Sequence, residues 1–121
     1  MVDQNCAYCM EGELVAKFGI KICELETSKV YLFKEQSHPG RCIVAYFEDV
    51  ARVARAIMKA FNPDKVNYGA YGDTGHHLHF HLCPKYKDEY EWGGVFLMNP
   101  DKKYLTDAEY AEMIEKIKAN L

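Results

Sequence analysis

The chain changes its hydrophobic period several times, and the changes mark its elements. Between Ile20 and Leu25 apolar residues fall at Ile20, Ile22, Cys23 and Leu25, an alternation that loosens part-way. "KVYLFK" and "RCIVAYF" are short, apolar and β-prone, and the turn residues of "SHPG" separate them. From Asp49 the period becomes helical, with Val50, Val53, Ala54, Ile57 and Phe61 on one stripe. Asn62-Pro63 stops that helix. "KVNYGAYG" reads as a strand entering a Gly-rich turn, and "HLHFHL" as the strand after it. "WGGVFLMNP" reads as loop with short extended pieces. Thr106 and Glu109 form a capping box that opens a last helix, with Tyr110, Met113, Ile114 and Ile117 as its apolar face.

Two helices are too few for a doubly wound parallel sheet, and short turns between strands favour antiparallel pairing. The expected class is α+β, an antiparallel sheet of about five strands with helices on one face. Residues 1–121 are expected to form one domain, with 1–15 as an N-terminal segment and 85–121 as a C-terminal extension and helix. A chain of this size buries about two thirds of its unfolded surface, enough for one core.

Composition narrows the function classes. The net charge of −3, with both signs interspersed, argues against a nucleic-acid partner, which needs a basic face. No apolar run approaches the roughly 18 residues of a membrane span. The start, "MVDQNCAYCM", lacks the basic and apolar regions of a secretory signal. Five unevenly spaced cysteines make a disulfide framework improbable, and a reducing cytoplasmic setting is expected.

The chemistry gathers in "GHHLHFHLCP", which holds four of the five histidines. On a strand, His77, His79 and His81 share one face. Leu78, Phe80 and Leu82 face the other way and anchor the strand, since a one-residue slip would bury the imidazoles. Pro84 is expected to end the ladder. Three aligned imidazoles suit a metal site, or nucleophilic and acid–base catalysis, or a solvated polar face. His76 lies on the opposite side and reads as merely exposed. Upstream, Gly69, Gly72 and Gly75 let the backbone approach a ligand, while Asn67 and Thr74 add side-chain donors. Such a turn beside a nucleophile suits a phosphate.

"HLHFHLCP", with Asn67 and "GDTG" ahead of it, resembles the motif of the histidine triad (HIT) family, and the likeness runs from about Cys6 to Pro84. The family consists of nucleotide hydrolases and transferases acting at an α-phosphate. The resemblance implies that His79 is the nucleophile, forming a nucleotidyl-imidazole that water hydrolyses, with its other ring nitrogen donating to a backbone carbonyl. It implies that His81 contacts the phosphate and that His77 braces the strand or binds metal. Asn67, Thr74 and the backbone at Gly72 would stabilise phosphoryl charge, and Glu35 would meet the ribose hydroxyls. The implied substrate is a purine nucleotide or nucleotide conjugate, such as a phosphoramidate, acyl-nucleotide or dinucleoside polyphosphate.

The resemblance also implies a homodimer, and structural Zn²⁺ held by Cys6, Cys9 and His77, with no organic cofactor. The sequence departs from the family where a Pro-Lys-x-His-like segment should follow "GRCIVAY". Here Tyr46-Phe47-Glu48 leads straight into the helix, and the histidine expected as fourth zinc ligand is missing. His38, in the "SHPG" turn, is the only other upstream histidine. Two other readings stand beside this one. In one, His77, His79 and His81 hold a catalytic Zn²⁺ in a metal hydrolase. In the other, the chain is an inactive nucleotide-binding module. Trp92 could stack on a base, lie over the site, or be a core or surface-anchoring residue, and Tyr86 and Tyr90 are equally open.

Overall fold

The computed structural model describes residues 13–26, 28–44, 47–71 and 78–121. A single helical turn, α1 (Glu13–Ala16), leads into β1 (Gly19–Glu24), β2 (Lys29–Phe33) and β3 (Cys42–Val44). Helix α2 (Phe47–Phe61) follows, then β4 (Lys65–Gly69), β5 (Phe80–Lys85) and α3 (Asp107–Lys118). The strands form one antiparallel sheet in the order β1-β2-β3-β5-β4. The α+β class, the strand count and the pairing are those expected.

The loosened alternation in the first strand has a physical cause. Lys21 pairs with Tyr31, yet Cys23 pairs with the next residue, Val30, so Ile22 is an extra residue in the ladder. This bulge flips the phase, and Ile20, Ile22, Cys23 and Leu25 all pack on the same core.

Residues paired across strands share a face, so the registers define both sides of the sheet. One side carries Ile20, Leu32, Cys42, Leu82 and Tyr68 in a single row. Except for exposed Tyr68, these residues meet Val50, Val53, Ala54 and Ile57 of α2 and Tyr110 and Ile117 of α3, which together make the main core. The opposite side carries the row Lys21, Tyr31, Ile43, His81 and Gly69. Here Tyr31, Phe33 and Ile43 form a smaller apolar cluster with Val15 of α1. The two long helices thus cover one face as expected, and one short turn lies on the other.

The helix ends follow their sequence signals. Asn62 adopts a left-handed backbone (φ 48°), its N–H donates to Met58 O at 3.0 Å, and Pro63 follows. At α3, Glu109 N donates to Thr106 Oγ1 at 3.3 Å and Thr106 N to the Glu109 carboxylate at 2.8 Å, closing the capping box. Tyr110 O–H donates to Lys34 O at 2.7 Å and accepts from Leu105 N at 3.1 Å, which ties α3 to the sheet.

Two strand expectations need correction. Pro84 does not end the ladder. It lies inside β5 opposite Val66, and Lys85 continues the pairing with Lys65. β3 begins opposite Leu82, so past that point one side of β5 has no ladder partner, and there a missing N–H does no harm. Leu78 is not an anchor either. It precedes β5 and is 56% exposed, while Phe80 and Leu82 do pack on the helix-side core.

Candidate active site

β5 positions the site. His79 and His81 lie two residues apart on the face away from the long helices, and both are buried, at 6% and 3% exposure. Their rings meet edge to face with centroids 5.5 Å apart. Phe33 and Tyr71 approach His81 edge-on at 5.9 and 6.3 Å. Phe96 in turn packs against Tyr71 at 6.2 Å.

Arg41 completes this cluster, and sequence reasoning passed over it. Its side chain is fully buried. The guanidinium lies 4.2 Å from the centre of the Phe33 ring and 5.1 Å from that of Phe96. Nη2 donates to His81 Nδ1 at 3.2 Å and to Met98 Sδ at 3.3 Å, and Nη1 donates to Leu97 O at 3.4 Å. The available signal was a cation heading a buried strand, directly after the Pro39-Gly40 turn. Burial, then the charge of Arg41, then His79 push the His81 pKa down to about 3. His81 is therefore a neutral imidazole at neutral pH, able to hydrogen-bond but carrying no charge.

Asn67 lies on the same face, opposite Cys83 and one row along from the Gly69–His81 pair. It lines an open cleft of about 310 Å³ with Lys65, Lys85, Trp92, Gly93 and Gly94. Trp92 is thus an exposed wall of that cleft rather than a core residue. Lys85 is buried and donates to the carbonyls of Glu91 and Gly94, wrapping the 86–94 turns around its ammonium.

Gly69 serves a different purpose from the expected one. A Cβ there would stand 2.6 Å from Tyr71 Cε2 and 2.7 Å from Phe96 Cζ. The space its hydrogen leaves is filled by those rings beneath His81, not by a ligand.

Glu35 lies inside the fold. It is 2% exposed, and its Oε1 accepts from Ser37 N at 3.1 Å, Ser37 Oγ at 2.5 Å and Lys103 N at 3.1 Å. It clamps the β2–β3 turn to the segment before α3, while its Oε2 is buried with no hydrogen-bond partner among the described residues. His38 is likewise internal. Its Nε2 bonds the Glu91 carboxylate at 2.8 Å and its ring lies against Tyr90 at 5.4 Å. Tyr86 O–H donates to Pro39 O at 3.0 Å, so both tyrosines left open by the sequence brace this turn.

The remaining expected site residues, His77, Gly72, Thr74, Cys6 and Cys9, lie outside the described residues, as do Gly75 and His76. Among the described residues no group of three or more His, Cys, Asp or Glu could hold a metal ion. The described upstream histidine, His38, is buried, and its Nε2 bonds the Glu91 carboxylate.

The fold has clear counterparts among solved structures. A histidine triad protein from Sinorhizobium meliloti 1021 superposes with a TM-score of 0.78 at 21% identity, covering 93% of this chain and 96% of its own. One from Marinobacter aquaeolei VT8 gives 0.79 at 19% identity, covering 93% and 95%. The chain has the histidine triad fold. A Hit-like protein involved in cell-cycle regulation from Bartonella henselae, solved with an unknown ligand, gives 0.71 at 19% identity with 98% of both chains covered. No protein-family model and no curated protein matches the sequence. Among the described residues, no helix is long and apolar enough to cross a membrane.

Proposed function

We propose that the chain is a histidine triad protein that binds a nucleotide and cleaves it at the α-phosphate through a covalent intermediate on His79. One observation carries the reading. In the histidine triad fold, His79 immediately before β5 and His81 within it are paired on the face opposite the helix-packed core, with His81 held as a neutral imidazole.

In the first step a ring nitrogen of His79 attacks the α-phosphorus. The bond from phosphorus to the leaving group breaks, and the leaving group departs with its electron pair and takes up a proton. In the second step water attacks the same phosphorus and the P–N bond to His79 breaks, releasing a nucleoside monophosphate. Dividing one difficult displacement in two lowers each barrier. His81 donates a hydrogen bond to a phosphoryl oxygen, and Asn67 offers its amide from the neighbouring row. Donors placed in this way stabilise charge as it develops in the transition state. A purine nucleoside phosphoramidate or dinucleoside polyphosphate is the substrate class, and a homodimer the assembly, in keeping with the family's pattern.

The same geometry disfavours a catalytic zinc on the histidine strand. A guanidinium 3.2 Å from His81 Nδ1 repels a dication on that imidazole and occupies one of its two nitrogens. Structural zinc held by Cys6, Cys9 and His77 remains part of the proposal, and no catalytic step depends on it.

The test is to incubate the protein with a nucleoside phosphoramidate labelled at phosphorus, quench in denaturant and map the label. Label on His79, together with loss of turnover in His79→Ala, is the expected result. Full turnover in His79→Ala would remove the proposal. Nucleotide binding by calorimetry with neither label nor turnover would leave a binding module instead.

A further inference from the structure

Arg41 is the largest fully buried side chain described, and a buried guanidinium is costly unless its surroundings are arranged for it. Here they are arranged from three segments. Phe33 of β2 and Phe96 of the C-terminal segment flank the cation, Leu97 O and Met98 Sδ accept from it, and His81 of β5 accepts through Nδ1. Arg41 cannot reach a ligand from this position, since the two rings and the C-terminal segment enclose it.

Its effect on His81 follows from donor chemistry. Arginine has only N–H donors and no acceptor. In the 3.2 Å contact the Nδ1 atom of His81 must therefore be the acceptor, with a free lone pair. In a neutral imidazole the single proton then sits on Nε2.

We infer that Arg41 is a positioning residue for the proposed reaction, fixing His81 as the Nε2–H tautomer so that this ring presents a donor to the phosphoryl group. The assignment rests on the reading of His81 as the phosphate contact. It also gives a role to residues 96–98, because that segment holds the guanidinium against His81. Without the cation the Nδ1–H form becomes accessible, and in that form Nε2 carries a lone pair instead of a proton. A lone pair there repels phosphoryl oxygen.

The test reads the ring directly. In the full-length protein labelled with ¹⁵N, two-bond ¹H–¹⁵N correlation at neutral pH reports which nitrogen of His81 is protonated. The expected spectrum has Nε2 protonated and Nδ1 bare. A protonated Nδ1, or a mixture of both forms, in the wild type would overturn the assignment. Arg41→Met should show both tautomers and lose about tenfold to a hundredfold in turnover of a nucleoside phosphoramidate. Arg41→Lys, which keeps a cationic donor, should recover the single tautomer and much of the rate. Arg41→Met with an unchanged ring spectrum and unchanged turnover would refute the assignment. If Arg41→Met does not fold, the wild-type spectrum and Arg41→Lys decide: a folded Lys variant with the opposite tautomer and full turnover refutes it too. These results are separable from the chemistry at His79. A His79→Ala protein that keeps turnover, beside a wild type with Nε2–H on His81, would remove the proposed reaction and leave the Arg41 tautomer contact standing.

Discussion

Replacing Gly69 by alanine tests how closely the aromatic bed under His81 is fitted. Gly69 has ordinary strand backbone without a positive φ, so alanine meets no conformational penalty there. The conflict is one of space. The new Cβ would stand 2.7 Å from Phe96 Cζ and 2.6 Å from Tyr71 Cε2. Carbon atoms pack at about 3.5–4.0 Å, so each ring must retreat by about 1 Å. Tyr71 is partly exposed and can swing outward, whereas Phe96 is buried against the Arg41 guanidinium and has nowhere to go. Overpacking of this kind costs about 1–3 kcal/mol, and alanine regains about 0.4–1 kcal/mol by stiffening the unfolded chain. A net loss of about 1–2 kcal/mol is expected, or roughly 4–8 °C in Tm for a domain of this size. Because Phe96 and Tyr71 border Arg41 and His81, turnover should fall with stability. Gly93→Ala is the control. Gly93 has φ 82°, and nothing lies within 4 Å of the point a Cβ would occupy, so alanine there brings only backbone strain of about 1–2 kcal/mol. Urea unfolding and phosphoramidate turnover, measured on both variants, decide between fit and slack. A Gly69→Ala protein with wild-type stability and rate would refute the packing argument.

Three further outcomes are expected. Thr106→Ala removes the side-chain half of the α3 capping box and should lower stability by about 1 kcal/mol in thermal unfolding, with turnover unchanged; an unaltered Tm would show the cap to be idle. Glu35→Ala leaves the Ser37 and Lys103 amides without their acceptor and should cost about 2–3 kcal/mol in urea unfolding, while nucleotide affinity by calorimetry stays within about twofold; a stable variant that loses nucleotide would restore Glu35 to the ribose. Stability should also fall on acidification. The His81 pKa, lowered to about 3 by burial, Arg41 and His79, lies below its unfolded value near 6.5, so between those pH values the unfolded chain binds the extra proton. His38 is lowered as well, chiefly by burial, and acts in the same direction. From pH 7.5 to pH 5 the urea-derived stability should drop by about 2 kcal/mol from His81 alone. Glu91, lowered by its bonds to His38 and Leu97 N, loses its contribution only as pH falls through and below the ordinary carboxylate range, outside that interval. Equal stability at the two pH values would show that His81 is not held neutral by the fold.

Local physics made much of this protein legible from its sequence. The period of Val50, Val53, Ala54, Ile57 and Phe61 defined α2, Asn62-Pro63 its end and Thr106-Glu109 the start of α3, because helix faces and caps are written within a few residues. Alternation placed His79 and His81 on one face and Phe80 and Leu82 on the other for the same reason. Even the imperfect run Ile20, Ile22, Cys23, Leu25 carried the bulge of β1, although only the register with β2 shows it as one.

What tertiary structure decided were meetings between residues distant in the chain. Arg41 and His81 are 40 residues apart, and neither one's neighbours foretell a guanidinium against an imidazole. Glu35 is buried only because the segment at Lys103, far along the chain, folds onto it. Gly69 looked like room for a ligand until Phe96 and Tyr71 filled that room. Pro84 looked like a terminator because the start of β3 opposite Leu82, which makes a proline harmless beyond it, is a property of the sheet and not of β5. Secondary structure follows from periodicities and caps that each segment carries by itself. The state of an active-site side chain follows from desolvation and charge, which are set by whatever the rest of the chain packs against it.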